Sequence, residues 1–376
     1  MRVLHVTDTY LPRRGGIELH VHDLAQAQRR AGDEVDVLTL TRARAVEPAQ
    51  STGSLLRPAD HADLVDKLRF VLAHRRHGRD AGYDVVHTHC STFSPLVFAT
   101  LGAADGIPTA VTAHSLWRRY TPLYRAADYA LGWSTWPIAW SAVSESAAEA
   151  VRRAAARPLQ VDVVPNGIDP TAWAHVERVR QPGRLRVISV MRLAPRKRPL
   201  ALLRILRTAA AAMPPQTKLD AVVVGDGPQA GAMRRFLRRH DLEDLVTLVG
   251  HQPRPEIARR LADADVFLAP ATLESFGIAA LEAAAAGVPV LGRRRTGLAD
   301  FVTDGAGGLL VDGDDQLAHA LVDIAAGRRD LGPVRRSAVE QMSWSAVVDR
   351  TRALYQRAGV GIAGQRSVTS RKRWAS

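Results

Sequence analysis

One cysteine, Cys90, in 376 residues excludes any disulfide within the chain. It follows an apolar strand and reads as a small buried filler, which fits a reducing cytoplasm. Long hydrophobic runs are missing as well. None approaches the ~20 residues needed to cross a bilayer, so no membrane-spanning segment is expected. The amino terminus, MRVLHVTDTY, has polar residues too early for a signal peptide and reads as a strand. Acidic residues are in deficit, 38 against 51 basic ones, for a net charge of +13. That favours anionic partners: nucleotides, phosphorylated substrates or acidic lipid headgroups. An Arg- and Ala-rich composition can also reflect genomic base bias, so charge alone identifies no partner. Zinc-finger, helix-turn-helix and RNA-binding patterns are absent, and nucleic acid is not expected as a partner.

What is present is a hydrophobic content of 46%, ample for packed cores, at a length natural to two domains. Short apolar runs alternate with helix-length amphipathic segments. Strands are predicted at 2–8, 34–40, 84–89, 108–114, 138–144 and 161–165, then at 185–192, 220–227, 246–250, 265–270, 289–292 and 307–313. This alternation predicts an α/β chain whose parallel sheets are covered on both faces. The expected division is a first Rossmann-like domain over 1–172 and a second over 185–343. A helix at 344–358 is expected to pack back on the first domain, ahead of a mobile basic tail at 359–376. The link between domains is expected in WAHVERVRQPGR, 173–184. Two such domains would leave a cleft facing the C-terminal ends of both sets of strands.

Several stretches could carry chemistry. ESFGIAALEAAAAGVPV, 274–290, places Glu274 on a loop after a buried strand and Glu282 inside the following helix. Ligands of open α/β sheets bind outside such strand ends. The bland reading is a loop carboxylate and a solvated helix carboxylate. Gly15 and Gly16 precede a helix starting near Ile17, where backbone N–H groups and the helix dipole suit an anion, although an ordinary strand-to-helix turn looks the same. Arg192 ends a strand, and Lys197 sits before a helix started by Pro199. Together they could hold phosphate oxygens, or merely form a solvated basic loop. Gly225-x-Gly227-x-x-Ala230 lies between a strand and a helix headed by Pro228 and matches a dinucleotide fingerprint when read alone. No acidic residue closes a second strand about 20 positions on, which weakens that match. The Asn166-Gly167 turn in VPNGID could be purely structural. Asp263/Asp265 and Asp312/Asp314 lie in turns or at a helix end, and no metal is assigned to them.

Taken in order, these motifs resemble the family-four retaining glycosyltransferases of the GT-B fold. The resemblance covers roughly residues 1–358. It rests on GG at 15–16, DVVHTH at 84–89, TAH at 112–114 and PNGID at 165–169. It continues with RL…RK at 192–197, GDGP at 225–228 and ESFGIAALEA at 274–283. The resemblance implies that Glu274, with the backbone N–H groups around Phe276 and Gly277, binds the hydroxyls of a donor sugar. Glu282 would accept both ribose hydroxyls, and Arg192 and Lys197 would clamp the diphosphate. Gly15 and Gly16 would contribute from the opposite domain, and His114 would lie near the attacked carbon, although a strand-end histidine bonded to backbone is the plain alternative. The implied reaction moves a hexosyl group from GDP-mannose or a UDP-sugar to a sugar, glycan or glycolipid hydroxyl by front-face attack. No metal and no cofactor is expected, since two cations neutralise the diphosphate. Two departures stand out: Arg198 follows Lys197 where a glycine is usual, and RRRTGLADF, 293–301, has one glycine where the family often has two followed by a glutamate.

Three rivals remain open: a nucleotide-sugar-binding protein without turnover, a sugar-nucleotide epimerase of the same fold, and a nicotinamide dehydrogenase using Gly225–Ala230. The acceptor is expected on the first domain, where Trp117, Trp133, Trp136 and Trp140 stand among Arg118, Arg119, Tyr120 and Arg125. They read either as core packing or as an acceptor platform, with Trp117, Arg118 and Tyr120 the named candidates. DLVDKLRFVLAHRRHGRD, 63–80, has an apolar stripe beside a basic end that could dock on anionic lipid. The location expected is cytoplasmic, with peripheral contact at the inner face of the plasma membrane if the acceptor is a lipid.

Overall fold

The computed structural model describes residues 1–13, 15–42, 54–58, 64–74, 76–92, 94–101, 106–173, 181 and 183–360. Most of the expected linker and the tail beyond Val360 lie outside the described residues. Leu64, Leu68 and Val71 of the proposed lipid-docking stripe have no described side chains.

Among the described residues, fourteen strands form two parallel sheets of seven. The first contains β1 (Arg2–Thr7), β2 (Glu34–Thr39), β3 (Leu55–Leu56), β4 (Val85–Cys90), β5 (Thr109–Ala113), β6 (Ala139–Ala142) and β7 (Val161–Val163), in the order β3-β2-β1-β4-β5-β6-β7. The second contains β8 (Arg184–Val190), β9 (Lys218–Val224), β10 (Val246–Gly250), β11 (Val266–Leu268), β12 (Val290–Arg293), β13 (Thr303–Asp304) and β14 (Gly307–Val311), in the order β10-β9-β8-β11-β12-β14-β13. All twelve expected strands form. The two missed ones, β3 and β13, are two residues long and lie at sheet edges, too short to show alternation. β9 ends at Val224 rather than 227 because Gly225 and Gly227 take φ of 135° and 157° and turn the chain away. The next helix begins at Ala230, not at Pro228.

The strand order reverses between β1 and β4 in the first sheet and between β8 and β11 in the second, whose edge also inverts β13 and β14. The two central reversals are the topological switch points, where loops leave the strand ends in opposite directions and make room for a ligand. The chain forms two compact units. The first comprises residues 1–142, 148–164 and those from Val347 onward; the second comprises 143–147 and 165–346.

The second unit's core is aliphatic. Helix Pro199–Ala211 starts with proline, which tolerates the first turn, and buries Leu202, Ile205, Leu206 and Ala209 on one stripe. They pack with Val187, Val223, Leu268, Leu317 and Leu321. The first unit is completed by the end of the last helix, Trp344–Arg357. Leu354 and Tyr355 are fully buried, Arg352 pairs with Asp33 at 3.2 Å, and Arg357 pairs with Asp162. The PNGID turn is structural: a side chain on Gly167 would stand 2.3 Å from the Trp344 ring, and Ile168 bridges to Ser343.

Candidate active site

At the second switch point, the loop after β8 carries Arg192 and Lys197, and the loop after β11 carries Glu274. Lys197 lies in a 3-10 turn, Pro195–Lys197, and its ammonium forms an ion pair with the Glu274 carboxylate. Both side chains are half-buried, while Arg192 is exposed and open to a ligand. Four candidates from two distant stretches therefore share one strand-end loop pair: Arg192, Lys197, Glu274 and the Phe276-Gly277 turn.

The sequence supports this loop pair locally. Gly277 takes φ 98° and begins helix Ile278–Ala285, whose small side chains bury at Ala280, Ala283 and Ala284. Phe276 is buried and lies 5.4 Å from the Phe301 ring. Gly297 donates its N–H to the Glu274 carbonyl at 2.9 Å; a Cβ there would meet the Ser275 carbonyl oxygen at 2.2 Å. One glycine in 293–301 is thus enough to seat that turn on the glutamate loop. Glu282 is buried one turn into the helix, with the Arg254 guanidinium 3.8 Å from its carboxylate.

Arg198 explains its own departure from glycine. It takes φ 60° and ψ 44°, the left-handed region that costs a side-chain-bearing residue roughly 1–2 kcal/mol. Its guanidinium forks onto Asp314 at 2.9 and 2.7 Å and donates to the Pro270 carbonyl at 3.0 Å. These charge-assisted bonds offset the backbone cost. Burial would raise the Asp314 carboxyl, but the Arg198 bonds and charge, with the Arg293 charge, outweigh it and hold the group below the ordinary range. Asp265 is likewise structural, accepting from the Arg186 backbone at 2.7 Å and from its side chain at 3.0 and 3.2 Å.

The Gly225-x-Gly227 pattern serves packing. A Cβ on Gly225 would lie 1.8 Å from the Met191 carbonyl oxygen, and one on Gly227 would lie 2.7 Å from that of Leu193. Leu193 donates to Asp226 and accepts from Gln229, both at 2.9 Å. The two glycines let this turn brace the backbone that carries Arg192, which removes the reason to read them as a dinucleotide fingerprint.

At the first switch point, Gly15 caps helix Gly16–Arg30 with extended backbone and no side-chain cap, and Gly16 is exposed. The anion at this helix end is one the chain supplies itself. A Cβ on Gly15 would stand 2.4 Å from a Glu18 carboxylate oxygen, and Glu18 pairs with Arg13 at 3.1 Å. A phosphate here would share the helix end with Glu18. His114, just past β5, is 5% exposed and hydrogen-bonds His89 at 3.0 Å. It belongs to a buried group of five imidazoles, with His5, His20, His87 and His89. Burial holds His5 down to about 4 and His114 to about 3, and keeps His20, His87 and His89 well below the ordinary imidazole range. The plain alternative, a bond to backbone, is not what the His114 ring makes with His89.

Trp117 corrects the expectation of an acceptor platform. It is 1% exposed, stacked on Tyr124 at 4.3 Å and edge-on to Trp133 and Trp140, so its faces are already covered. Arg118 is exposed and Tyr120 half-exposed on the adjoining turn. Helix Thr121–Leu131, next along the chain, leaves Leu123, Tyr129 and Leu131 in solvent.

The model of Glycosyltransferase Family 4 matches residues 14–172, and that of Glycosyl transferases group 1 matches residues 174–332. A D-inositol 3-phosphate glycosyltransferase of Pseudarthrobacter chlorophenolicus is 26% identical, over 92% of this chain and 90% of its own. A phosphatidylinositol N-acetylglucosaminyltransferase subunit of Arabidopsis thaliana is 26% identical, over 95% and 82%. Among solved structures, Anabaena HepE in complex with UDP superposes with a TM-score of 0.71 at 17% identity, covering 95% of this chain and 100% of that one. With its two parallel sheets and both family models matched in order, the chain belongs to the family-four, group-one glycosyltransferases of the GT-B fold.

Proposed function

We propose that the chain is a retaining hexosyltransferase that takes its sugar from GDP-mannose or a UDP-sugar and passes it to a hydroxyl of a sugar, glycan or glycolipid. The observation that carries this is the Lys197–Glu274 ion pair beside exposed Arg192 at the second switch point. Cleaving the glycosyl phosphate bond builds negative charge on the leaving diphosphate and positive charge on the sugar. Fixed cations aimed at the leaving oxygen stabilise that transition state. On donor binding, Lys197 exchanges Glu274 for the diphosphate, and Glu274 is released to accept sugar hydroxyls together with the N–H groups at Phe276 and Gly277. Glu282 accepts the ribose hydroxyls. Gly15 and Gly16 offer backbone N–H groups to the donor, and His114 acts at the reacting centre. Attack is from the front face, with the leaving phosphate oxygen taking the acceptor's proton, and the two cations make a metal unnecessary.

Arg118 and Tyr120 supply acceptor contacts in this reading, without Trp117. Both curated relatives are named for inositol phosphates, free or lipid-linked, which supports a phosphorylated polyol. Among the described residues no helix is long and apolar enough to cross a membrane. For a lipid acceptor we propose reversible docking at the cytoplasmic face through Leu123, Tyr129 and Leu131, with Arg118, Arg119 and Arg125 adding about 1 kcal/mol each near an anionic surface. Salt screens that attraction. The test is a donor screen by nucleotide release in excess EDTA, then mass spectrometry and proton NMR of the donor and products with inositol phosphate, phosphatidylinositol and simple sugars. A product of retained configuration in EDTA is expected. Loss of activity in EDTA with recovery in Mn²⁺, or an epimerised donor without transfer, would overturn the reading.

A further inference from the structure

The register of the first sheet places a set of polar side chains on one face. His5 lies opposite His87, and His89 lies opposite Thr112, which in turn lies opposite Ser141. Side chains two apart on a strand share a face, so His87, His89, Thr112 and His114 are neighbours in the core. Gln28 from the first helix and Tyr355 from the last close the group, both fully buried.

We infer that this network fixes His114 in a single tautomer, with Nε2 protonated and Nδ1 bare, and that Gln28 and Tyr355 are the positioning residues that set it. The Val111 carbonyl starts the chain of assignments, because it can only accept. Ser141 donates to it at 3.0 Å, so the Ser141 oxygen accepts from Thr112 at 2.7 Å. The Thr112 hydroxyl has then spent its proton and accepts from His87 Nε2 at 2.7 Å. A neutral imidazole has one ring proton, so His87 Nδ1 is bare and accepts from the Tyr355 hydroxyl at 2.9 Å. The Tyr355 oxygen in turn accepts from the Gln28 amide nitrogen at 3.1 Å, which turns the Gln28 oxygen toward His5. His5 must therefore donate from Nε2, at 2.6 Å, and accept at Nδ1 from His89 Nε2, at 2.8 Å. His89 Nδ1 is bare and accepts from His114 Nε2 at 3.0 Å. One backbone carbonyl thus dictates every proton along one unbroken chain, and the one His114 ring nitrogen left for a ligand can accept a hydrogen bond but not donate one.

The same nitrogens could be mistaken for a metal site, since two histidine triads bring theirs within 4.8 Å. Imidazole nitrogens around a tetrahedral zinc stand about 3.3 Å apart with both lone pairs turned to the ion. The pairs here are at 2.8 and 3.0 Å with a proton between them, which is hydrogen-bond geometry.

Taken with the role proposed above for His114, on which this step rests, the bare Nδ1 receives a hydroxyl of the donor or acceptor sugar. The test is long-range proton–nitrogen NMR of the histidine rings in the ¹⁵N-labelled full chain, with and without Zn²⁺. The unaltered protein should show Nε2–H and bare Nδ1 at His114. Gln28→Leu and the gentler Tyr355→Phe should give a mixture of tautomers. Gln28→Glu, which only accepts, should restore the single one. With donor saturating, kcat should fall about tenfold in Gln28→Leu, the loss of roughly one well-oriented hydrogen bond, with little change in KM and recovery in Gln28→Glu. An Nδ1–H tautomer in the unaltered chain, a folded Tyr355→Phe protein with no change at His114, or ring nitrogens shifted by Zn²⁺ would overturn the inference. Tautomers that respond as expected while kcat stays constant would leave the network standing and remove His114 from the reacting centre.

Discussion

At the switch point of the first sheet, β1 and β4 gather imidazoles that burial keeps neutral; at that of the second, the loops after β8 and β11 carry charged groups, half-buried or exposed. The first arrangement works through direction: each group has one proton and one bare nitrogen, and its neighbour decides which. The second works through sign: Lys197, Arg192 and Glu274 act over distance, and in the proposed reaction they exchange partners. The transfer proposed above would use both, one to orient hydroxyls and one to absorb the charge of a leaving diphosphate.

The strongest way to break this contrast is through Trp117, which lies in the uncharged interior and not on a binding surface. Trp117→Ala should cost about 3–5 kcal/mol of stability, as for other buried large-to-small changes, and be read as a drop in denaturant midpoint. Arg118→Ala should leave that midpoint alone and raise acceptor KM. A stable Trp117→Ala protein with only weakened acceptor binding would reinstate the platform. Next in size, Lys197→Ala should lower kcat by roughly 10²-fold or more, about 2.7 kcal/mol, and Glu274→Ala should also act on kcat. Glu282→Ala should instead raise donor KM, because ribose contacts bind ground and transition states alike. Identical kinetics in all three would dissolve the assignment of the second switch point to the donor.

Acid should separate the two regions by its sign. Unfolded histidines titrate near 6.5, whereas the five buried ones stay neutral when folded, so the unfolded chain takes up the extra protons. Stability conferred by that burial is intact above about pH 6.5 and falls as pH drops toward 4, by up to about 1.4 kcal/mol per pH unit per site. Asp8 and Asp300, raised to about 6 by burial, pull the other way, while His77, lowered chiefly by burial, adds to the loss. At His5 the Gln28 hydrogen bond is the main opposition to burial, the Arg29 charge adds to the lowering, and the Asp33 charge opposes it. Thermal unfolding from pH 7.5 to 5 should therefore show a steep loss of Tm, shallower in His5→Gln. A flat profile would mean that these imidazoles are not buried neutral. The smallest effect belongs to Arg198. Arg198→Gly should change stability by no more than about 1–2 kcal/mol, since relief of the left-handed strain offsets the lost Asp314 bonds, whereas Arg198→Ala, keeping the strain and losing the bonds, should be the worse of the two. The reverse order in chemical denaturation would contradict the role given to the fork.

How much could be seen in the sequence follows from distance along the chain. Strands showed because each is a local apolar run, and Glu274, Glu282 and Lys197 could be singled out as candidates because their stretches have a recognisable order. Whether the four tryptophans faced inward could not be read from composition, since a ring looks the same in a core or on a surface. Gly225 and Gly227 were ambiguous because their purpose is the backbone of Met191 and Leu193, more than 30 residues earlier and adjacent only once β8 and β9 pair. The histidine network was the least legible. Its local trace is the period of two in His87-x-His89 and Thr112-x-His114, but its direction depends on Gln28 and Tyr355, which are 327 residues apart.

That span has a consequence for manufacture on the ribosome. Residues 165–346 form nearly the whole of the second unit and emerge without interruption, so that unit can close as soon as its own sequence is clear. The first unit begins earlier and finishes later. Until Tyr355 appears, the Gln28 amide and His87 Nδ1 lack a partner they have in the finished protein, and Asp33 and Asp162 await Arg352 and Arg357. The half that is translated first is thus the half that matures last. A chain stopped after Ala346 should release a protease-resistant fragment from the second unit and degrade the first, and adding residues 347–360 should be enough to protect both.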